Sequence, residues 1–138
     1  ARTVIVLLCV FAACRVAISW FPMDAPGAPR TSTGAAHGVL AAVTFGAIAA
    51  SAIRLCKVIE IDPRLQSLAT TSRVLGWVMV ALFALLFLAR LSPELRRYFG
   101  ATERALYAAI LVWLVLFGVA AATGHLAEGN SIVRFGLG

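Results

Sequence analysis

Four stretches of about 20 residues, 3–21, 37–55, 74–91 and 104–124, are so nearly free of charge that they dictate the solvent this chain folds in. A hydrocarbon layer about 30 Å thick is crossed by roughly 20 helical residues. Backbone polar groups in lipid must be satisfied internally, which an α-helix achieves by itself. The expectation is an all-α, polytopic transmembrane helical bundle with four spans and short interfacial helices. It forms a single transmembrane domain over 1–138, with 125–138 as a C-terminal tail. Only 13% of the residues are charged and mean hydropathy is +0.95, whereas soluble domains carry about 25% charged residues. A soluble catalytic domain is excluded.

The edges of the spans are marked by girdles and breakers. Trp20-Phe21-Pro22 closes the first span with aromatic side chains and a residue that cannot continue a helix. No small-x-small cleavage site follows, and Arg15 interrupts the run, so it reads as a span rather than a signal peptide. A Pro-, Gly-, Ser- and Thr-rich loop over 22–36 carries Asp24 and Arg30 to the second span. Asp62-Pro63 is a cap and first-turn pair that predicts a short interfacial helix over 63–69. Ser92-Pro93-Glu94 predicts a second brief surface helix, carrying Arg96, Arg97 and Tyr98 and ended by Gly100. Thr102-Glu103 opens the fourth span.

The net charge of +6 and pI near 10.3 raise the question of nucleic acid. Arg2, Arg54, Lys57, Arg64, Arg73, Arg90, Arg96, Arg97 and Arg104 all flank apolar runs, where basic side chains anchor helices in headgroups. Membrane lipids, not nucleic acid, are the expected partners. Six basic residues fall in connections on the side of the N-terminus and five on the other, too even a split to orient the protein. Cys9, Cys14 and Cys56 contain no CxxC pair and imply neither disulfide nor metal.

Gly34, Gly38, Ala42, Gly46 and Ala50 recur every four residues along the second span and share one helix face. In lipid, such a stripe lets another backbone approach closely. These five are the expected helix-packing residues, and their helix is expected at the centre of the bundle.

Asp24, Glu60, Asp62, Glu94, Glu103 and Glu128 lie in connections or at span ends, so no span carries the buried carboxylate of a proton relay. Arg15 is the cation well inside a span, six residues from Phe21, a rise of roughly 9 Å that a long side chain can snorkel. Asp24 and His37 flank the first loop, so a helical hairpin brings Arg15, Asp24 and His37 toward one cluster, structural or ligand-binding. His37 and His125 lie at opposite ends of their spans, about 30 Å apart. One haem cannot bridge them. Trp113, near the centre of the fourth span, reads as packing. No GxSxG, Walker A, HExxH or dinucleotide fingerprint occurs. No catalytic residue, metal or cofactor is expected, and the protein is expected not to be an enzyme.

The stretch Trp20-Phe21-Pro22-Met23-Asp24, followed by Thr31-Ser32-Thr33-Gly34 and His37, resembles a bacterial family of multi-span membrane proteins, domain of unknown function nine-nine-eight. There a span ends in Phe-Pro-x-Asp, and a small Thr/Gly loop leads to a His at the head of an Ala-rich helix. Phe21, Pro22, Asp24 and His37 match that pattern. Glu103-Arg104 and Trp113 look like the family's last helix. The resemblance implies a multi-pass protein of the bacterial inner membrane. Members have about six spans, so this chain is expected to match the last four of a longer protein. The expected function is a non-enzymatic integral membrane subunit that packs against a larger complex, protein or pigment-lipid, with other membrane subunits as partners. The alternative is a small transporter or lipid- or small-ligand-binding protein using Arg15, Asp24 and His37.

Overall fold

In the computed structural model, which describes residues 2–25 and 28–123, the chain is all-helical. Four helices are long and apolar enough to cross a membrane. They are α1 (Arg2–Ala17), α2 (Ser32–Ile59), α3 (Gln66–Leu91) and α4 (Phe99–Ala122). The expected tail over 125–138 lies outside the described residues, as does His125. Each helix packs on the next in sequence, α1 on α2, α2 on α3 and α3 on α4, as short connections between antiparallel neighbours require.

Local chemistry sets the helix ends. α1 tightens into a 3-10 turn over Ile18–Trp20 and stops at Phe21, because Pro22 offers no N–H to continue the ladder. Thr31 caps α2, its hydroxyl accepting from the Gly34 N–H at 3.0 Å. α2 therefore starts at Ser32, before the expected 37, and His37 sits in its second turn rather than at its head. Asp62 accepts from the Arg64 N–H at 2.9 Å, and Pro63–Leu65 then runs straight into Gln66. The interfacial helix expected over 63–69 is thus the first turns of α3, since no breaker separates them. α3 ends at Leu91, where Ser92 must be extended because Pro93 follows it. Gly100, expected to end a surface helix, lies inside α4. A single glycine costs a helix only about 1 kcal/mol, and the burial of Thr102, Leu106 and Ala109 further along α4 outweighs that.

The centre of the bundle is closely packed. Ile48, Ala52, Met79, Leu106 and Trp113 are buried and belong to one apolar cluster contributed by α2, α3 and α4. Gly76 of α3 lies against α2 so tightly that a Cβ there would press on Ile53 and Ala52. This is the close backbone approach that small residues permit in lipid. Beside it, buried Ser72 donates to the Ala52 carbonyl at 2.7 Å and accepts from Trp113 Nε1 at 2.9 Å. One hydroxyl therefore joins three helices where an unmade hydrogen bond would cost about 1–3 kcal/mol. By contrast, Val4 is the buried residue of α1.

α2 is enclosed on one side by α1 and on another by α3, but not through the glycine stripe. Its buried line is Thr44, Ile48, Ala52 and Cys56. Gly46 is two residues out of register with that line, roughly 200° around the helix. A Cβ at Gly38 or Gly46 would meet nothing within 4 Å, and Ala42 and Gly46 are exposed. Gly38, Ala42 and Gly46 therefore seat no other helix of this chain, and Thr44, Ile48, Ala52 and Cys56 carry the buried line instead.

Candidate functional site

The loop after α1 is folded by the residues that distinguish it in sequence. Asp24 reaches over the start of α2 and accepts from the Thr31 hydroxyl at 2.6 Å and the Thr31 N–H at 3.1 Å. Its carboxylate occupies the space where a Cβ of residue 34 would stand, so Gly34 is needed there. A carboxylate at a helix N-terminus also complements the partial positive charge of the unpaired N–H groups. The Thr31 bonds, then the fields of Arg90 and Arg30, hold the Asp24 carboxyl below the usual carboxylate range.

His37, on the second turn of α2, closes the loop from the other side. Its Nδ1 lies 2.7 Å from the Phe21 carbonyl. That oxygen can only accept, so Nδ1 carries the proton and donates, and in the neutral ring Nε2 is left as an acceptor. The carbonyl is available because the helix has stopped at Pro22 and no later N–H returns to it.

Arg15 goes elsewhere. Its guanidinium donates to the Tyr107 hydroxyl at 2.7 Å and lies 5.2 Å from the centroid of that ring, tying α1 to α4. Tyr107 in turn meets Phe45 edge-on at 5.5 Å, and Phe45 meets Phe83 at 5.9 Å. Among the described residues no ion pair joins Asp24 to Arg15 or His37, and the ion pair present is Glu60 with Arg73 at the opposite end. The expected three-residue cluster does not form by direct contact. Asp24 finds two donors seven residues away at little cost in chain entropy, and Arg15 faces the neighbouring helix rather than the loop.

Asp24 and His37 nevertheless share a site. Both line a cavity of about 510 Å³ bounded by α2, α3, the start of α4 and the loop residues Met23, Asp24 and Arg30. The stripe residues Gly38 and Ala42, with Phe45, Phe83 and Phe87, form its apolar wall, and Arg30, Arg90 and Glu103 stand with Asp24 and His37 as its polar groups. The small side chains that were expected to admit a helix instead leave this space open. In sequence Arg30 reads only as a loop cation, Arg90 as a span-end anchor and Glu103 as a helix opener, because their convergence depends on the first loop, α3 and α4 meeting at one end of the bundle. Tyr107 and Ser72 gave no signal in sequence, since their roles come from pairing across helices.

Four helices long and apolar enough to cross a membrane define a multi-pass helical membrane protein. The chain belongs to the family described as "Protein of unknown function (DUF998)", whose model matches residues 1–120. No curated protein and no solved structure matches the chain. Within the matched residues, Asp24 bonds to Thr31 across the loop that follows α1, His37 meets the Phe21 carbonyl, and both Asp24 and His37 line the cavity.

Proposed function

We propose that this chain is a non-enzymatic membrane protein that binds an amphiphilic small ligand, its polar end at the mouth of the α2–α3 cavity and its apolar end along the small-residue stripe. The observation that carries this reading is the cavity itself, with an apolar wall and charged groups gathered at one end. Its 510 Å³ falls within the roughly 300–1,000 Å³ of ordinary ligand sites. Replacing Ala42 with Phe fills the space, whereas Val43→Phe places the same side chain on an exposed position outside it. Ligand- or lipid-dependent thermal stabilisation in detergent is expected to vanish in Ala42→Phe and to persist in Val43→Phe. Equal responses from the two variants would overturn the proposal.

A second reading, an integral subunit of a larger membrane complex, draws support from the open face at Gly46 and from the largely uncovered α1. A small-residue face is a natural seat for a partner helix in lipid. Gentle native extraction followed by size analysis is expected, on that reading, to recover a complex that Gly46→Leu disperses; a monomer from both would end it.

A further inference from the structure

The groups at the mouth of the cavity differ in how far they are already engaged. Asp24 is engaged, its two oxygens bonded to Thr31. Arg30, Arg90 and Glu103 are not: among the described residues none of the three takes part in an ion pair. Glu103 is half-buried on the second turn of α4, facing the same cavity as the two guanidiniums. A purely anionic ligand would satisfy the arginines but bring its charge beside a partly desolvated carboxylate, which like-charge repulsion disfavours. A neutral one would leave Glu103 without a counter-charge and the two guanidiniums facing only the Asp24 carboxylate already bonded to Thr31. His37 adds a hydrogen-bond acceptor at Nε2, since Nδ1 is committed to the Phe21 carbonyl.

We infer that, if the cavity binds an amphiphile as proposed above, its ligand is a membrane phospholipid with a zwitterionic, primary-amine headgroup: Arg30 and Arg90 take the phosphate, and Glu103 with His37 takes the ammonium. The inference rests on that cavity reading and narrows it. Guanidinium groups match phosphate oxygens in a planar, forked geometry. A carboxylate and an imidazole nitrogen together reward an ammonium that carries N–H donors, which separates ethanolamine from choline headgroups. The adjoining apolar wall of Gly38, Ala42, Phe45, Phe83 and Phe87 accepts the start of an acyl chain.

The test uses the full chain in nanodiscs containing equal parts of phosphatidylethanolamine, phosphatidylcholine and phosphatidylglycerol, with retained lipid identified by native mass spectrometry. The unaltered chain is expected to enrich phosphatidylethanolamine over both others. Arg90→Gln is expected to weaken retention about tenfold, the scale of one lost charge-assisted hydrogen bond. Glu103→Gln, nearly isosteric, is expected to keep lipid bound but to lose the preference for phosphatidylethanolamine over phosphatidylglycerol. Arg104→Gln, one residue along and outside the cavity lining, is expected to change nothing and controls for the loss of a nearby charge. Preferential retention of phosphatidylglycerol by the unaltered chain, or an unchanged preference in Glu103→Gln, would overturn the headgroup assignment while leaving the cavity reading in place. No retained lipid at all, or retention unaffected by Ala42→Phe, would overturn the cavity reading itself.

Discussion

The two ends of this bundle are built from the same kinds of residue and behave differently. Toward the α2–α3 connection, Gly76 brings two helices together, and Ser72, Ala52 and Trp113 lock them with buried hydrogen bonds. Toward the α1–α2 and α3–α4 connections, Gly38 and Ala42 face open space and five polar groups gather around it. Small residues thus do opposite work at the two ends. They close a gap at Gly76, where α2 stands directly across, and leave one open at Gly38, where nothing lies within 4 Å. Composition along α2 and α3 does not distinguish the cases, because a glycine's role depends on what lies across from it.

The sharpest way to break this comparison is to place the same large side chain at a glycine of each kind. Gly76→Leu forces the new side chain onto Ile53 and Ala52, and over-packing of a close contact typically costs about 1–3 kcal/mol. Gly46→Leu meets no atom within 4 Å at its Cβ and is expected to leave chain stability in detergent nearly unchanged. Thermal unfolding of the two variants reads the difference, and equal loss in both would show that the open face is packed after all.

A smaller effect is expected at the mouth. Gly34→Ala drives a methyl group into the Asp24 carboxylate, so Asp24 must leave Thr31 and the cap loses one of its two layers. The expected loss is about 1 kcal/mol, that of a helix cap. It should nearly disappear when Gly34→Ala is compared in an Asp24→Ala background, a double-mutant cycle that isolates the contact. The same contact gives the loop an acid response. The Asp24 carboxyl is held below its ordinary value of 3.8, so its contribution is complete above that value and is lost as pH falls through the lower folded one. Fluorescence of Trp20, exposed just before the loop, is expected to change below pH 3.8 and to lose that acid transition in Asp24→Asn. An identical acid profile in the variant would detach the response from this residue.

The four helices were legible because lipid imposes a length and a polarity that short windows of sequence reveal. Their ends were less so. Thr31 rather than His37 heads α2, and Gly100 continues a helix it was expected to stop. Both are decided by hydrogen bonds and burial that periodicity does not encode. The site was half legible. Asp24 and His37 do face one cavity, but Arg15 was assigned to the wrong neighbour, because nothing in a linear reading points from the first helix to Tyr107 of the fourth. The glycine stripe is regular in spacing, but the helices of this chain pack on an equally regular line, Thr44, Ile48, Ala52 and Cys56, along the far side of the same helix.

Ser72 has a mechanical consequence. Its hydroxyl is held by the Ala52 carbonyl on one helix and the Trp113 indole on another, at 2.7 and 2.9 Å. A slide of α3 by a full turn, about 5.4 Å along its axis, would break both bonds. Arg90 lies eighteen residues away on the same helix, a lever arm of roughly 27 Å. With Ser72 as the fulcrum, α3 keeps both bonds under a small tilt and loses them under a slide of a full turn. A tilt of about 5° would move Arg90 by some 2 Å over that arm while leaving the pivot bonds almost unchanged.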